Sequence, residues 1–400
     1  MPAEDGSALP AEPPRPDPAL LDRVRRRVGA SGHPPSPAAV AAALRAEGGA
    51  WRGDARAVLA GLQSEIVGAG PLAGLLADPA VTDVLVNAPD EVWVDRGAGL
   101  VRAAVSFPDD AAVRRLAQRL AAPTGRRLDD AQPWVDARLA DGVRLHGVLA
   151  PIAPAGTSLS LRVPRRRVFS LPELVAAGSL PDDGADLLRE VVSSRSAFLV
   201  TGGTGSGKTT LLTALLSLVN PVERVLLVED AGELRPDLPH VVRLEARPPN
   251  VEGAGEVTLR DLVRQALRMR PDRLVVGEVR GAEVLDLLAA LNTGHEGGCG
   301  TLHANSAEDA PARLEALAAV AGLGREALHS QVAAALQLVL HLSVREGRRI
   351  LSEICVLRRG DHGLVQSVPA WTWTGRTESG EPGPAAASLA ATMALSLIHI

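Results

Sequence analysis

The spacing of apolar and polar positions along the chain predicts its secondary structure. Short apolar runs bounded by turn residues predict strands, and apolar positions three and four apart predict helices. In the second half of the chain, buried strands are predicted at residues 197–200, 224–228, 241–244 and 273–277. Helical spacing separates them at residues 209–219, 259–269 and 282–291. This alternation predicts an α/β domain over residues 186–360, with a largely parallel sheet that binds ligands at its strand carboxyl ends.

The first half of the chain has a different pattern. Residues 20–67 are arginine-rich with helical spacing and end at a Gly/Pro loop signal. Residues 68–164 then predict a separate, smaller α+β domain. Its predicted elements are strands at 81–87, 91–95, 100–107, 143–149 and 158–163 and a helix at 109–121.

The remaining segments carry weaker patterns. Residues 1–19 are acidic and proline-rich, which predicts a disordered leader and no secretory signal. Residues 165–185 predict a linker, and residues 361–400 predict a variable tail. Within that tail, the uncharged residues 385–400 predict a floppy segment and not a membrane anchor. The apolar stretch 332–344 is interrupted by Gln337 and His341 and is short for a membrane span, so it predicts core.

Composition limits the classes of function. The 46% hydrophobic content of 400 residues is ample for buried cores. A net charge of −5 and an aromatic content of 2% argue against direct nucleic-acid binding, which needs phosphate-neutralising charges and base-stacking rings. Cys299 and Cys355 are too few for a disulfide framework, which favours a reducing cytoplasm.

The most specific signal surrounds Lys208, the single lysine among 42 basic residues. It lies in a G-x-x-x-x-G-K-[ST] segment between a predicted strand and a predicted helix, where backbone N–H groups and a helix N-terminus converge on a polyphosphate. Lys208 would reach the β and γ phosphates of ATP, and Thr209 would join the Mg²⁺ shell. The predicted nucleotide-binding residues are Gly202, Gly203, Thr204, Gly205, Ser206, Gly207, Lys208, Thr209 and Thr210.

Carboxylates follow two of the predicted parallel strands. Glu229 and Asp230 end one strand, with Glu233 shortly after, and Glu278 ends another. Hydrolysis of a bound nucleotide needs acid groups that support the metal and orient the attacking water. We assign Glu278 to polarise water, and Glu229, Asp230 and Glu233 to support Mg²⁺ and the γ-phosphate side. The opposite assignment of these two roles stays open.

Two histidines lie in a glycine-rich turn beside a short β run. His295 and His303 could reach a γ-phosphate and sense its loss, which makes both candidate catalytic residues. A zinc site is the alternative, because His295, Cys299 and His303 follow one another at intervals of four residues and would line one face of a helix as metal ligands. Four glycines in this segment argue against the helix that such spacing would require.

These motifs together resemble the secretion ATPase superfamily that includes pilus-assembly and conjugation motors, and its TadA/CpaF branch most of all. The resemblance covers residues 68–358. It is carried by the lysine loop and by residues 81–87, 229–235, 262–273, 274–278 and 293–305.

The resemblance implies a hexameric ring of RecA-like P-loop ATPase domains, each with an N-terminal PAS-like α+β domain. It also implies a motor at the cytoplasmic face of the membrane, which passes ATP-driven domain motion to inner-membrane proteins of a type II/IV secretion or Flp/Tad pilus system. In such rings arginines complete the nucleotide site. The candidates by position are Arg144, Arg162, Arg264, Arg268 and Arg280.

Two other functions use the same core. A conjugal-transfer DNA translocase or helicase would need stacking aromatics, and no Trp or further Phe occurs between Phe198 and Leu357. A non-hydrolytic nucleotide sensor would keep the loop but would not need Glu278. Phosphate release with and without single-stranded DNA separates these functions.

Overall fold

The computed structural model describes residues 17–31, 35–48, 54–97, 99–140, 142–164, 168–249 and 253–397. The chain divides into two compact units, Met1–Arg166 and Arg167–Ile400. Most of the predicted leader lies outside the described residues, which begin at Asp17.

Three amphipathic helices open the first unit. They are α1 (Pro18–Ala30), α2 (Pro37–Ala46) and α3 (Ala55–Ile66). Each begins at a side-chain cap, from Asp17, Ser36 and Asp54, which satisfies a backbone N–H group that has no partner within the helix. Their apolar positions meet in one cluster that includes Val24 and Leu62, both fully buried. The helical spacing of residues 20–67 therefore marks three separate helices.

An antiparallel six-stranded sheet forms the rest of the first unit, in the order β3-β2-β1-β6-β5-β4. Helix α5 packs on it, because Val113, Leu116 and Leu120 form one apolar stripe on that helix. The elements are α4 (Ala73–Ala77), β1 (Asp83–Ala88), β2 (Glu91–Asp95), β3 (Leu100–Arg102), α5 (Asp110–Ala121), β4 (Trp134–Arg138), β5 (Arg144–Val148) and β6 (Ser158–Arg162).

The structure corrects the sequence prediction at two strands of this sheet. The third strand was predicted over residues 100–107, but β3 ends at Arg102. Strand β4 was not predicted, although its residues alternate between buried and accessible positions. With an outward-facing Trp134 and an internal Asp136, the segment lacks the apolar run that marked the other strands.

A nine-stranded sheet forms the second unit, in the order β15-β14-β13-β12-β7-β11-β10-β8-β9. The six strands from β12 to β9 in that order are parallel, and β13, β14 and β15 add antiparallel strands. The strands are β7 (Phe198–Gly202), β8 (Val225–Glu229), β9 (Val241–Glu245), β10 (Arg273–Val279), β11 (Cys299–His303), β12 (Leu338–Arg345), β13 (Arg348–Arg359), β14 (Val365–Thr372) and β15 (Glu381–Pro382).

Helices cover both faces of this sheet. Successive residues of one strand enter opposite cores, as Phe198 and Leu199 of β7 do, so the central strands are apolar on both sides. The helices are α6 (Leu171–Ala176), α7 (Asp182–Ser193), α8 (Lys208–Leu216), α9 (Leu259–Ala266), α10 (Glu283–Leu291), α11 (Ala310–Val320), α12 (Arg325–Ala335) and α13 (Ala386–Leu397). This arrangement is a mixed α/β fold.

Helices and strands occur in both the predicted linker and the predicted variable tail. The predicted linker, residues 165–185, contains α6 and the start of α7, although residues 165–167 lie outside the described residues. The predicted variable tail contains β14, β15 and α13, and α13 lies in the segment predicted to be floppy. Trp371 and Met393 pack into the core of the second unit, and the Trp371 indole N–H donates to Asp183 Oδ2 at 2.8 Å. Burial of Met393 holds α13 in place, which corrects the prediction of a floppy segment as far as Leu397.

Among the described residues, no single helix is long and apolar enough to cross a membrane. One sharply bent pair of helical segments, Ala55–Ile66 and Gly70–Ala77, would be long and apolar enough by length and composition alone. The apolar stretch 332–344 belongs to α12 and β12, and its buried residues lie in the two cores.

Candidate functional site

The loop between β7 and α8 follows the carboxyl end of a central parallel strand. Glycine is required at its first position, because a Cβ on Gly202 would lie 2.5 Å from the Leu342 carbonyl oxygen and 2.5 Å from Ser206 Oγ. Gly205 and Gly207 have φ values of 72° and 98°, in the left-handed region that favours glycine. Gly207 also caps α8, so the loop ends at a helix N-terminus.

The ammonium group of Lys208 lies inside this loop. Its Nζ donates to the carbonyl oxygens of Gly202 at 2.9 Å and Gly203 at 2.8 Å. Burial lowers the pKa of Lys208, and the nearby carboxylate of Glu278 partly opposes that shift. Neutral carbonyl partners offset only part of the cost of burying this charge, so the loop is suited to an anion.

Glu278 and His303 lie beside that ammonium group. His303 Nε2 is 2.9 Å from Glu278 Oε1, and His303 Nδ1 is 3.5 Å from Lys208 Nζ. The neutral tautomer with a proton on Nε2 satisfies both contacts, because it donates to Glu278 and accepts from Lys208. The register explains the placement, since His303 on β11 pairs with Gly202 on β7.

Strands β10 and β11 depart from regular pairing near Glu278. The parallel pairing is irregular between Val276 and Val279, and the Thr301 hydroxyl donates to the Gly277 carbonyl at 2.6 Å. A Cβ on Gly300 would lie 2.7 Å from the Val276 carbonyl oxygen, so only glycine allows this approach. The motif glycines therefore bring the strands of the site together.

Glu229 is a buried carboxyl group, 3% exposed, at the end of β8. Its Oε1 accepts from the backbone N–H groups of Glu233 at 2.8 Å and Leu234 at 2.9 Å. Its Oε2 has no hydrogen-bond partner among the described residues. Burial raises the pKa of Glu229 to about 7, against the opposing effect of the two N–H groups. Glu229 thus holds the following loop in place through the backbone.

Asp230 and Glu233 differ from Glu229 in their surroundings. The half-buried Asp230 carboxylate contacts the Arg280 guanidinium, which ties the end of β8 to the segment after β10. Glu233 is exposed, and its backbone N–H is the group that bonds Glu229. Glu283, which is buried, accepts from the backbone N–H of Arg280 at 2.7 Å and fixes that segment.

Of the two predicted histidines, the structure brings only His303 to the loop. His295 precedes β11, at the end of the sheet opposite the loop, and its Nδ1 lies 3.2 Å from the Ala290 carbonyl oxygen at the end of α10. Cys299 is a buried residue of β11, and burial raises the pKa of its thiol to about 12, which disfavours the thiolate that zinc needs. No group of three or more His, Cys, Asp or Glu side chains placed to hold a metal occurs in the described part of the chain.

The five candidate arginines occupy different places. Arg280 contacts Asp230, whereas Arg264 pairs with Asp286 at 2.8 Å on the outer surface of α9 and Arg268 is exposed just after that helix. Arg144 and Arg162 lie in the first unit, directly paired across β5 and β6. Of the three candidates in the second unit, Arg280 is the one that contacts a predicted site carboxylate among the described residues.

His341 is a site residue that sequence reasoning placed only in the core. It pairs with Thr201 across β12 and β7, and its Nδ1 lies 2.8 Å from Thr201 Oγ1, directly below the loop. Burial lowers the pKa of His341, so the neutral ring can accept the Thr201 hydroxyl proton. A polar residue that interrupts the buried run 332–344 was the available signal.

Fold and site together define a mixed α/β protein with a glycine-rich loop, a lysine and strand-end carboxylates on one parallel sheet. The family described as "Type II/IV secretion system protein" matches residues 65–374. This chain belongs to that family.

Relatives cover most of the chain. A Mycobacterium tuberculosis protein whose name assigns it to conjugal transfer is 61% identical over 317 residues, which are 78% of this chain and 90% of that protein. Conjugal transfer protein TrbB of Rhizobium radiobacter is 31% identical over 69% of this chain and 83% of its own length. The structure of the pilus retraction motor PilT with bound ADP aligns at a TM-score of 0.52 and 21% identity, over 71% of this chain and 81% of PilT. That alignment shows a shared fold alone.

Proposed function

We propose that this chain is an ATP-hydrolysing motor of a type II/IV secretion or pilus-assembly system. The observation that carries the proposal is the contact chain from Lys208 through His303 to Glu278 at the mouth of a glycine-rich loop. Such a loop binds phosphate groups through its N–H groups and its lysine, and a carboxylate beside it can orient water. Family membership and relatives named for conjugal transfer support the assignment to secretion.

The nucleotide would be held by residues 202–210. The lack of a side chain at Gly202 lets the loop backbone lie close to the Leu342 carbonyl oxygen and to Ser206. Ser206 Oγ is buried and has no hydrogen-bond partner among the described residues. Lys208 would exchange its two carbonyl partners for phosphate oxygens, which repay the burial of its charge. Arg144 and Arg162 of the first unit stay predicted contacts to the phosphates.

The site also fits Mg²⁺. This ion keeps several waters and binds through one or two protein groups plus substrate phosphates, so a cage of three carboxylates is not required. Thr209 and Asp230 would hold it. Glu229 Oε2, which has no hydrogen-bond partner among the described residues, is a buried oxygen acceptor at the end of β8, next to Asp230. When bound, Mg²⁺ neutralises charge on the transferred phosphoryl group.

Glu278 would polarise the attacking water, and His303 would hold its carboxylate in place. The Nε2–H group of His303 fixes one oxygen of Glu278 and leaves the other for water. Because Nδ1 of the same ring faces Lys208, a change at the phosphate end of the loop reaches Glu278 through one imidazole. We therefore propose His303 alone for the role that we predicted for both histidines.

The work of the motor would be domain motion. ATP binding and release bias an element with two stable arrangements, and the movement passes to membrane proteins. We propose a hexameric ring with RecA-like ATPase domains and PAS-like N-terminal domains, at the cytoplasmic face of the membrane. We further place the chain in the TadA/CpaF branch, on the residues given above for that resemblance.

A second candidate is a DNA translocase or helicase of a conjugation system, which the names of the relatives favour. Single-stranded DNA binding relies on stacking aromatics and a basic groove. The span between Phe198 and Leu357 has no further Trp or Phe, and the net charge is −5. We therefore assign transfer of macromolecules to partner proteins, with this chain as their motor.

Phosphate release and ADP binding by the full chain test the proposal. Glu278→Gln should lower phosphate release about 100-fold or more and leave ADP binding intact, because it removes a proton acceptor. Lys208→Arg should lower both, because a guanidinium cannot replace a compact ammonium in the loop. Glu326→Gln, an exposed change on α12, is the matched control and should match the parent.

Three outcomes would contradict this assignment. Parental turnover by Lys208→Arg would remove nucleotide chemistry from the loop. Lost binding with intact chemistry in Glu278→Gln would remove its catalytic role. Strong stimulation of phosphate release by single-stranded DNA would favour the translocase.

A further inference from the structure

Strands β12 and β11 lie on either side of β7 in the sheet, and the lysine loop follows β7. The hairpin of β12 and β13 therefore reaches the loop from the flank of β7 opposite β11. Its turn follows Arg345, and Arg349 lies at the second position of β13, paired with Val344. Neighbouring side chains of one strand point to opposite faces, so Arg348 and Arg349 lie on opposite faces of the hairpin. Both side chains are exposed, and neither belongs to a motif of the predicted nucleotide site.

Arg349 contacts the loop at two glycines. Its Nε donates to the Gly205 carbonyl oxygen at 2.7 Å. Its Cδ lies 3.5 Å from the position that a Cβ on Gly207 would take, so the arginine stem packs along the loop. The contact joins positions 144 residues apart in sequence.

A contact at this place affects anion binding through the backbone. A loop that binds phosphate through its N–H groups needs its peptide planes held in one orientation, and a fixed carbonyl fixes the N–H of the same plane. Gly205 and Gly207 have φ values of 72° and 98°, and glycine has more conformational freedom to lose than any other residue. Ordering the loop before the ligand arrives lowers the entropy cost of binding.

We propose that Arg349 is a positioning residue that holds the lysine loop in its anion-binding conformation through the Gly205 carbonyl. The proposal rests on the proposed function, because the anion is the phosphate of a nucleotide. It adds a determinant outside the loop itself, on an antiparallel strand that pairs with the outer edge of the parallel part of the sheet.

Arg348 provides the matched control. It is one residue away, exposed and of the same charge, but its Nη2 donates to the Gly375 carbonyl at 3.0 Å instead of to the loop. Arg348→Ala and Arg349→Ala thus remove equal charge near the site and differ in the loop contact.

Two measurements on the full chain test the proposal, with ADP as the probe. Arg349→Ala should weaken ADP binding about ten-fold, the loss expected for one hydrogen bond from a charged donor, and Arg348→Ala should stay within about two-fold. In nucleotide-free protein, amide hydrogen exchange of residues 203–209 should be faster in Arg349→Ala than in the parent and unchanged in Arg348→Ala.

The outcomes separate positioning from charge. Unchanged loop exchange in Arg349→Ala would overturn the proposal, as would an ADP-binding defect that disappears at high salt, because screening removes a long-range charge effect and not a hydrogen bond. Failure of the parent to bind ADP would contradict the proposed function. The exchange measurement needs no nucleotide, so it would still decide whether Arg349 orders the loop.

Discussion

Glu229→Gln is the change whose effect on stability follows most directly from the structure. The Glu229 carboxyl is buried, accepts two backbone N–H groups through Oε1, and has a pKa raised to about 7 by burial. A glutamine keeps the acceptor for both N–H groups and carries no charge. It therefore mimics the protonated form of Glu229.

The sign and size follow from linkage. The pKa of Glu229 in the folded protein, about 7, lies above the ordinary 4.5, so the folded state binds the proton more tightly. Stability from this group is fully present below pH 4.5 and is lost as pH rises toward 7. Between these two pKa values the loss is about 3 kcal/mol. Glu229→Gln does not lose this stability.

Denaturant unfolding of the second unit, without nucleotide or Mg²⁺, at pH 5 and pH 8 measures the effect. The free energy of unfolding of Glu229→Gln relative to the parent should rise by about 2 to 3 kcal/mol between these conditions. Glu326→Gln, an exposed change on α12, is the control and should show no such change. A difference between Glu229→Gln and the parent that is independent of pH would refute a raised pKa at this carboxyl.

Two further predictions concern the loop and β11. Gly202→Ala should abolish ADP binding in equilibrium dialysis, because its Cβ would lie 2.5 Å from the Leu342 carbonyl, and retained affinity would show that the loop adapts. Cys299→Ser should keep parental phosphate release while its free energy of unfolding falls by about 1 kcal/mol or more from burying a hydroxyl. Zinc found by elemental analysis in the parent and lost in Cys299→Ser would contradict the assignment of Cys299 to the core.

The elements that the sequence predicted well are those with a local signal. The lysine loop has a fixed spacing, and β7, β8, β9 and β10 are short apolar runs bounded by turn residues. Helix α13 could not be predicted, because it carries no charged residues that would mark a solvent-facing side. Only the core surface on which Leu389 and Met393 pack shows which side of this helix is buried. Its contacts come from residues far away in sequence.

The same limit applies to the candidate site. Spacing alone places His295 and His303 in one glycine-rich segment, and only the register of β11 against β7 shows which histidine lies beside the loop. Arg349 carried no signal either, because its partner Gly205 is distant in sequence. The sequence predicts four acidic residues after two strands and favours Glu278 as the residue that polarises water, but it leaves the opposite assignment open.

The environments of Glu229 and Glu278 favour one of these two assignments. A carboxyl pKa near 7 suits a general base, and by that criterion alone Glu229 would be the better candidate. Geometry comes first, however, and Glu229 Oε1 is occupied by two backbone N–H groups while Gly277 leaves the space that its side chain fills, with Glu229 Cγ 2.7 Å from a Cβ built there. Glu278, on the residue after that glycine, reaches His303 and through it Lys208. The missing side chain of Gly277 thus lets one carboxyl become part of the core and leaves the other to face the loop.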